Sequence, residues 1–462
     1  MKKSLLIASA ILMGSATAFA GKDEAVYEPV NGIELENMWL HSRVNGAWAS
    51  GNQNLPFINN YAKVRTATIW TDANGVDKLV CGYSKPVNYT KDDGSQEAID
   101  TATILIYNLT DGTLEKEIQL SYNNEPIKGL LIANQIGTDD AGNLWFSGLE
   151  SDPATMPIEL YSINAETGEC TLEAALLLND DEATSTGRID YCDILGDITG
   201  KTSHAIAMFA PKASDLSILR WKREQGATEW TGDFDGYANL ALTETYPAGV
   251  ASWGGVTTVS IMWDEDLTGE NYYVDDFSTA PALYNTSGSM LESFATATEM
   301  APAVGCNGVT EFELAGRNFI SYVLQQYNAS PGCCIRIAEL GEGLVFEGMT
   351  GYWDLPKDGL GEVSDGGTRM HGIMTTAKRT DAAGLTAVYL VTYKCNNGIG
   401  VYRVKETGYD DGIGGVEGII ADQDANAPAV YYNFQGVQVQ NPESGAYIVK
   451  RGNTVTKEFI VK

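Results

Sequence analysis

The stretch that decides the fold is Thr138-Asp139-Asp140-Ala141-Gly142-Asn143-Leu144-Trp145-Phe146, a turn rich in Asp and Gly running into an apolar strand. The same unit stands at Thr71-Asp72-Ala73-Asn74-Gly75 before Lys78-Leu79-Val80-Cys81. It stands again at Gly196-Asp197-Ile198-Thr199-Gly200 before Ala205-Ile206-Ala207-Met208-Phe209. It returns at Asp264–Gly269 before Tyr272-Tyr273-Val274, and in weaker form at Ala315-Gly316 and Asp381–Gly384. The turn glycines are Gly75, Gly142, Gly200, Gly269, Gly316 and Gly384, so successive copies lie 67, 58, 69, 47 and 68 residues apart. A recurrence of that size, built from strand signals, marks a repeat architecture.

Working outward, most copies carry a second hairpin. Thr103–Tyr107 turns at Asp111-Gly112 into Leu114–Leu120, and Ile158–Tyr161 turns at Thr167-Gly168 into Cys170–Leu172. Leu216–Trp221 before Gly226, Pro281–Tyr284 before Gly288, and Gly400–Val404 continue the series. Helical spacing of apolar residues is nearly absent, whereas alternation and short apolar blocks bounded by Gly, Asn and Asp are frequent. Each unit therefore reads as a four-stranded antiparallel sheet. Stacking such sheets around an axis buries both faces and protects the edges, which predicts a β-propeller. The last unit lacks a strand, and Met38-Trp39-Leu40-His41-Ser42 is expected to supply it and close the ring. Six blades are expected, with seven open if the long third repeat hides another.

The N-terminus has a basic start, an apolar run from Leu5 to Met13, and Ala18-Phe19-Ala20 ahead of a polar segment. This predicts an export signal over residues 1–20, cut after Ala20. No later run is long and apolar enough to span a bilayer, so no transmembrane segment is expected in the mature chain. The propeller is expected over 21–408, a linker over 409–428, and a small C-terminal β-sandwich over 429–462.

With 30 Lys and Arg against 61 Asp and Glu, the formal charge is −31. Such a field repels phosphates and argues against nucleic acid as a partner. Seven cysteines, none in a C-x-x-C pair, give no support for structural zinc. Cys81, Cys192 and Cys395 fall in apolar runs and read as small buried hydrophobes. Adjacent Cys333-Cys334 read as alternating inward and outward thiols, with a strained disulfide as the other reading.

The tail, through Val430-Tyr431-Tyr432-Asn433-Phe434-Gln435-Gly436 and Gly445-Ala446-Tyr447-Ile448-Val449, resembles the C-terminal sorting domain of exported Bacteroidetes proteins. That resemblance implies a small β-sandwich recognised by the type IX secretion machinery, and a secreted or cell-surface address. The central region is similar to uncharacterised propeller proteins of the same bacteria. Trp39–Pro56, the D-x-x-G-x-L-W-like hairpin through Asp140-Ala141-Gly142-Asn143-Leu144-Trp145, and Tyr273-Val274-Asp275 with Pro281–Tyr284 carry the likeness. This implies fold and address, and no activity.

Chemical signals are sparse. The three histidines, His41, His204 and His371, accompany no G-x-S-x-G elbow and no H-E-x-x-H, and each reads as a surface or packing residue. Asp264, Glu265, Asp266, Asp275 and Asp276 lie near Trp253, Trp263, Tyr272 and Tyr273, a composition that suits a sugar but also suits turns and core. Asp72–Asp77 resembles a calcium loop without its closing Glu, so an Asn-Gly turn is the better reading. Asp100-Thr101-Ala102 fits the D-[ST]-A pattern of Bacteroidetes O-glycosylation, in what reads as a polar loop. No cofactor is expected.

Propeller geometry sharpens one site. First strands line the axis, and here they open at Arg65-Thr66, Arg188-Ile189-Asp190, Thr257-Thr258, Thr310-Glu311 and Arg369-Met370-His371. Arg65, Arg188, Asp190, Arg369 and His371 are therefore candidate ligand-binding residues for an anionic or polar ligand such as an acidic sugar. The competing reading pairs the arginines with neighbouring acids to plug the channel. The function expected is a noncatalytic binding module for glycan or protein. A polysaccharide hydrolase or lyase is the alternative, to be revived by two carboxylates facing an open pocket.

Overall fold

The computed structural model describes residues 25–42, 63–90, 93–129, 131–149, 155–178, 187–211, 217–234, 237–242, 259–263, 271–276, 279–293, 308–323, 334–341, 349–361, 377–394, 397–411, 429–433, 438–451 and 454–460. Every regular element among them is a β-strand. The chain forms two compact units, Met1–Arg379 with Leu385–Thr407, and Thr380–Gly384 with Gly408–Lys462.

The larger unit opens on β1 (Ile33–Ser42). The first sheet is β2 (Val64–Thr71), β3 (Asp77–Thr90), β4 (Gln96–Asn108) and β5 (Leu114–Gln119), paired in that order. A ribbon of β6 (Ser121–Tyr122) and β7 (Glu125–Pro126) precedes the second sheet. That sheet is β8 (Gln135–Thr138), β9 (Leu144–Ser147), β10 (Ile158–Ile163) and β11 (Cys170–Leu176). The third is β12 (Cys192–Gly196), β13 (Ala205–Phe209) and β14 (Ser217–Arg223), with its outer strand split into β15 (Thr231–Gly232) and β16 (Asn239–Ala241). The fourth is β17 (Val259–Trp263), β18 (Asn271–Asp276), β19 (Thr279–Asn285) and β20 (Met290–Ser293). The fifth is β21 (Val309–Leu314), β22 (Arg317–Val323), β23 (Ile335–Glu339) and β24 (Thr350–Leu355). The sixth is β25 (Ala377–Thr380), β26 (Thr386–Lys394) and β27 (Gly398–Glu406).

The sixth sheet takes its fourth strand from the far end of the unit. β1 pairs antiparallel with β27 from Ile33↔Glu406 to Ser42↔Gly398. This is the strand the incomplete last repeat calls for, longer than the segment read from sequence.

The Asp and Gly turns join first to second strands. In the first sheet, Asp72 Oδ1 accepts from the amides of Asn74 and Val76, each at 2.9 Å. Gly75, with φ +77°, takes the left-handed conformation that closes the hairpin and that a side chain would strain.

Apolar clusters then link each sheet to the next. Val80, Ile104 and Ile106 of the first sheet pack on Ile136 and Phe146 of the second. Trp145 and Leu160 of the second meet Ala207, Leu219 and Trp221 of the third. Met208 and Ile218 of the third meet Ile261, Tyr272 and Tyr284 of the fourth. Tyr273 and Leu283 join the fourth to the fifth, whose Phe312, Phe319 and Ile337 share a cluster with Val388 and Val404 of the sixth. Trp39, Tyr393 and Val401 of the sixth pack on Val64, Ile69 and Leu105 of the first, which completes the circuit. β2 packs on β8, β8 on β12 and β12 on β17, and β26 touches both β21 and β2. The second strand of the third sheet, β13, is buried throughout, while the outer β5 of the first sheet is mostly exposed. This is a propeller-like all-β arrangement.

His41 lies on the closing strand, opposite Ile399 and 5.4 Å from the Trp39 ring. Burial pulls its imidazole down to about 4. The neutral ring is the form the fold tolerates, so its stability is complete above the unfolded value near 6.5 and drains away as pH falls toward 4. Linkage gives a loss of about 3 kcal/mol across that window from this group. Urea midpoints between pH 7 and 4 are expected to fall less steeply in His41→Gln than in the parent.

In the smaller unit, β28 (Ala429–Tyr432), β29 (Gln438–Val439), β30 (Gly445–Arg451) and β31 (Thr454–Ile460) form one antiparallel sheet, in the order β29-β28-β30-β31. Tyr431 and Tyr447 meet edge to face at 6.2 Å, and Val449 is fully buried. The expected export signal and residues 412–428 of the expected linker lie outside the described residues.

Candidate functional site

Arg65 lies at the start of the inner strand β2, Asp190 precedes β12, and Asn134 precedes β8, so three sheets bring these residues to one place. Arg65 Nη2 donates to Asp190 Oδ1 at 3.1 Å, and both side chains are 1 % exposed. Arg188 Nη2 donates to the same oxygen from a side chain that is 20 % exposed. Asn134 Nδ2 donates to the Asp190 carbonyl. Two guanidinium groups thus share one carboxylate oxygen. Asp190 Oδ2, Asn134 Oδ1, Gln135 Oε1 and Arg188 Nε are buried without partners. Burial raises the Tyr191 phenol, with the Arg65 charge opposing the rise. The cluster ties three sheets together, and its Arg188 side approaches solvent.

Arg369 and His371 lie outside the described residues, as do Thr257, Trp253 and Asp264–Asp266. Across the ring, Glu311 accepts from the Tyr273 hydroxyl, and Asp275, fully buried, accepts from the Gly308 amide at 2.9 Å. Those acids are interior structural groups. His204 is exposed.

The Asp turns of the second and third sheets interlock. Asn143 Nδ2 donates to Asp139 Oδ2 and to Asp197 Oδ1, both at 2.9 Å, and the Ile198 amide donates to Asp139 Oδ2 at 2.8 Å. Burial raises Asp139. Burial also pushes Asp197 up, but hydroxyl and amide bonds from Thr199 and Thr202 prevail and hold it well below the usual carboxylate range. These carboxylates are consumed by turn amides.

The glycosylation pattern is corrected by the structure. Thr101 is fully buried within β4, and its hydroxyl donates to the Lys85 carbonyl at 3.2 Å. Asp100 beside it takes both oxygens to Lys63 Nζ, at 2.8 and 2.6 Å. The segment is a strand interior, so no sugar can be attached to the folded chain there. Cys81, Cys170 and Cys192 are free and buried, Cys334 is buried, and burial raises the Cys170 thiol to about 12. Cys333 and Cys395 lie outside the described residues.

An open concave feature among the described residues lies elsewhere. A groove of about 480 Å³ runs between the β11 edge and the segment Thr228-Glu229-Trp230, with Trp221 at its base. Trp230 is half-buried, and its indole N–H donates to the Glu173 carbonyl at 2.9 Å, which fixes the ring against the strand. Arg223 anchors the same segment, donating from Nε to the Ala227 carbonyl and from Nη1 to the Ile198 carbonyl, both at 2.8 Å. Two carboxylates flank the groove and differ in kind. Glu173 is occupied, accepting from Ser162 Oγ at 2.7 Å and from Arg223 Nη1 at 3.0 Å. Glu229 is exposed. An aromatic face beside a free acid and a hydroxyl can hold a ligand with both apolar and hydroxylated surfaces. The sequence reading missed this groove, although Glu229-Trp230 just beyond Gly226, where an outer strand was due, was the signal available.

No protein-family profile and no curated protein matches the sequence. Solved structures match in shape. One is a Penicillium chrysogenum α-L-arabinanase complexed with arabinobiose, at 11 % identity and TM-score 0.41, with 75 % of this chain and 95 % of that chain covered. Another is an α-L-arabinofuranosidase of Fusarium graminearum with arabinobiose, at 12 % identity and TM-score 0.38, covering 74 % and 93 %. A third, U3-55K, matches at 9 % identity and TM-score 0.34, covering 74 % and 95 %. Each is a likeness of shape only.

Proposed function

We propose that this chain is an exported six-bladed β-propeller that binds glycan without cleaving it, in the groove between its second and third blades. The observation that carries this reading is Trp230, a ring pinned by Glu173 at the wall of an open groove and adjoined by the exposed Glu229. A groove of about 480 Å³ is within the range of small-ligand sites. Glycoside cleavage needs two carboxylates, each free to move a proton or attack carbon. In this groove only Glu229 is free, since Glu173 is held by Ser162 and Arg223. The buried Arg65–Asp190–Arg188 cluster acts as a pin between blades.

The tail is proposed as a sorting-type domain read by type IX export machinery, with the mature chain beginning at Gly21 and residing outside the cell. N-terminal sequencing of the exported protein tests that start.

The binding claim is tested on a glycan array. The mature protein is expected to retain at least one glycan, and Trp230→Ala to weaken it about tenfold or more while the melting temperature stays put. An array with no binder, or undiminished binding by Trp230→Ala, would sink the reading.

A further inference from the structure

The interface between the third and fourth sheets holds a second polar centre, on the opposite face of the third sheet from the groove. Along β14, Leu219 and Trp221 pack toward the second sheet, whereas Ile218 and Arg220 face the fourth. Arg220 Nη2 donates to Asp233 Oδ2, but Nε and Nη1 are buried with no partner. A guanidinium set between two sheets is costly unless its donors are matched.

The local structure is built around this arginine. The outer strand of the third sheet is interrupted there, and Phe234 and Tyr237 exchange two backbone bonds at 2.9 Å. The Asp233 amide donates to the Arg220 carbonyl at 3.1 Å, and the Arg220 amide to the Ala238 carbonyl at 2.7 Å. This excursion carries Asp233 onto the guanidinium and sets the Phe234 ring 4.9 Å from Cζ.

The fourth sheet supplies the other wall. Trp263, Tyr272 and Tyr284 stand opposite one another across β17, β18 and β19. Trp263 lies 5.3 Å from Arg220 Cζ and 6.1 Å from the Tyr272 ring. A bond from the Trp263 amide to Asp193 Oδ2, at 2.9 Å, locks that strand to the third sheet. Trp263 Nε1 and the Tyr272 hydroxyl are also buried with no partner, at 6 % and 0 % residue exposure.

Three unmatched N–H groups and a hydroxyl therefore belong to three neighbouring side chains, Arg220, Trp263 and Tyr272, beside the Phe234 ring, and all four can donate. Buried donors are ordinarily matched, so a set of them around one cation is complementary to a bound anion. We propose that this interface between the third and fourth sheets opens to take a small monovalent anion of the carboxylate class, held by Arg220, Trp263 and Tyr272 and reached from the side of Asp233. The Asp233 side chain is 15 % exposed against 5 % for Arg220, which marks that approach. Aromatic walls exclude water and strengthen each charge-assisted bond.

Formate and acetate provide the probes, titrated calorimetrically against the full chain at constant ionic strength. Saturable binding is expected. Trp263→Phe combined with Tyr272→Phe keeps the walls and deletes two donors, and should weaken it about tenfold or more. The same double variant should melt higher than the parent when no anion is present, because two unmatched donors are gone. Arg220→Met should abolish binding; if it does not fold, the double variant decides. No saturable heat with no anion at this interface in a formate-soaked crystal, or a double variant that binds like the parent, would overturn the proposal.

Discussion

Asp190→Ala is expected to lose about 3–5 kcal/mol of stability, read as a drop in the urea midpoint at unchanged slope. The carboxylate is 1 % exposed and is the shared acceptor of Arg65 and Arg188. Arg65, equally buried, would lose the carboxylate it donates to in the middle of three sheets, and the cost of that loss inside the fold exceeds the value of an exposed bond. Arg188→Ala should cost only about 1 kcal/mol, because its side chain is 20 % exposed and Arg65 still neutralises the acid. Equal losses for the two variants, or an Asp190→Ala loss below about 1 kcal/mol, would mean the cluster does not hold the sheets together.

Trp39→Ala should cost a similar amount, about 3–5 kcal/mol, for a different reason. Trp39 sits on β1, the strand that completes the sixth sheet, and is 1 % exposed. Its indole N–H donates to the Leu109 carbonyl of the first sheet at 2.8 Å. The ring fills space that only a glycine leaves open, since a Cβ on Gly112 would stand 2.7 Å from it. One side chain therefore joins the first sheet to the last. Its loss opens a cavity at the seam where the ring closes, and limited proteolysis should cut the variant faster within the N-terminal strand. A variant that melts and resists protease like the parent would refute the seam.

How far the sequence revealed this molecule depends on the range of each interaction. The Asp and Gly turns were legible because their chemistry is local: Asp72 satisfies amides two and four residues away. The missing strand of the last unit was legible because edge pairing demands one. Thr101 was misread because β3 and β4 form a longer ladder than the apolar run from Thr103 suggests, and Lys63 neutralises the Asp100 that made the segment look like a loop. The meeting of Arg65 with Asp190 spans 125 positions; strand starts placed both at one rim without showing that they pair. The groove depends on Trp230 reaching Glu173 across 57 positions, a pairing that the local signal at Glu229-Trp230 does not specify. The Arg220 interface is hidden for the same reason, since its donors come from two sheets.

The central claim is that the propeller scaffold is pinned inside and binds ligand at its groove. The most direct measurement is calorimetric titration of the strongest array glycan into Trp230→Ala and Arg188→Ala side by side. The expected result is binding weakened about tenfold or more in Trp230→Ala and unchanged in Arg188→Ala. Binding lost in Arg188→Ala and retained in Trp230→Ala would contradict it and move the site to the rim of the inner strands.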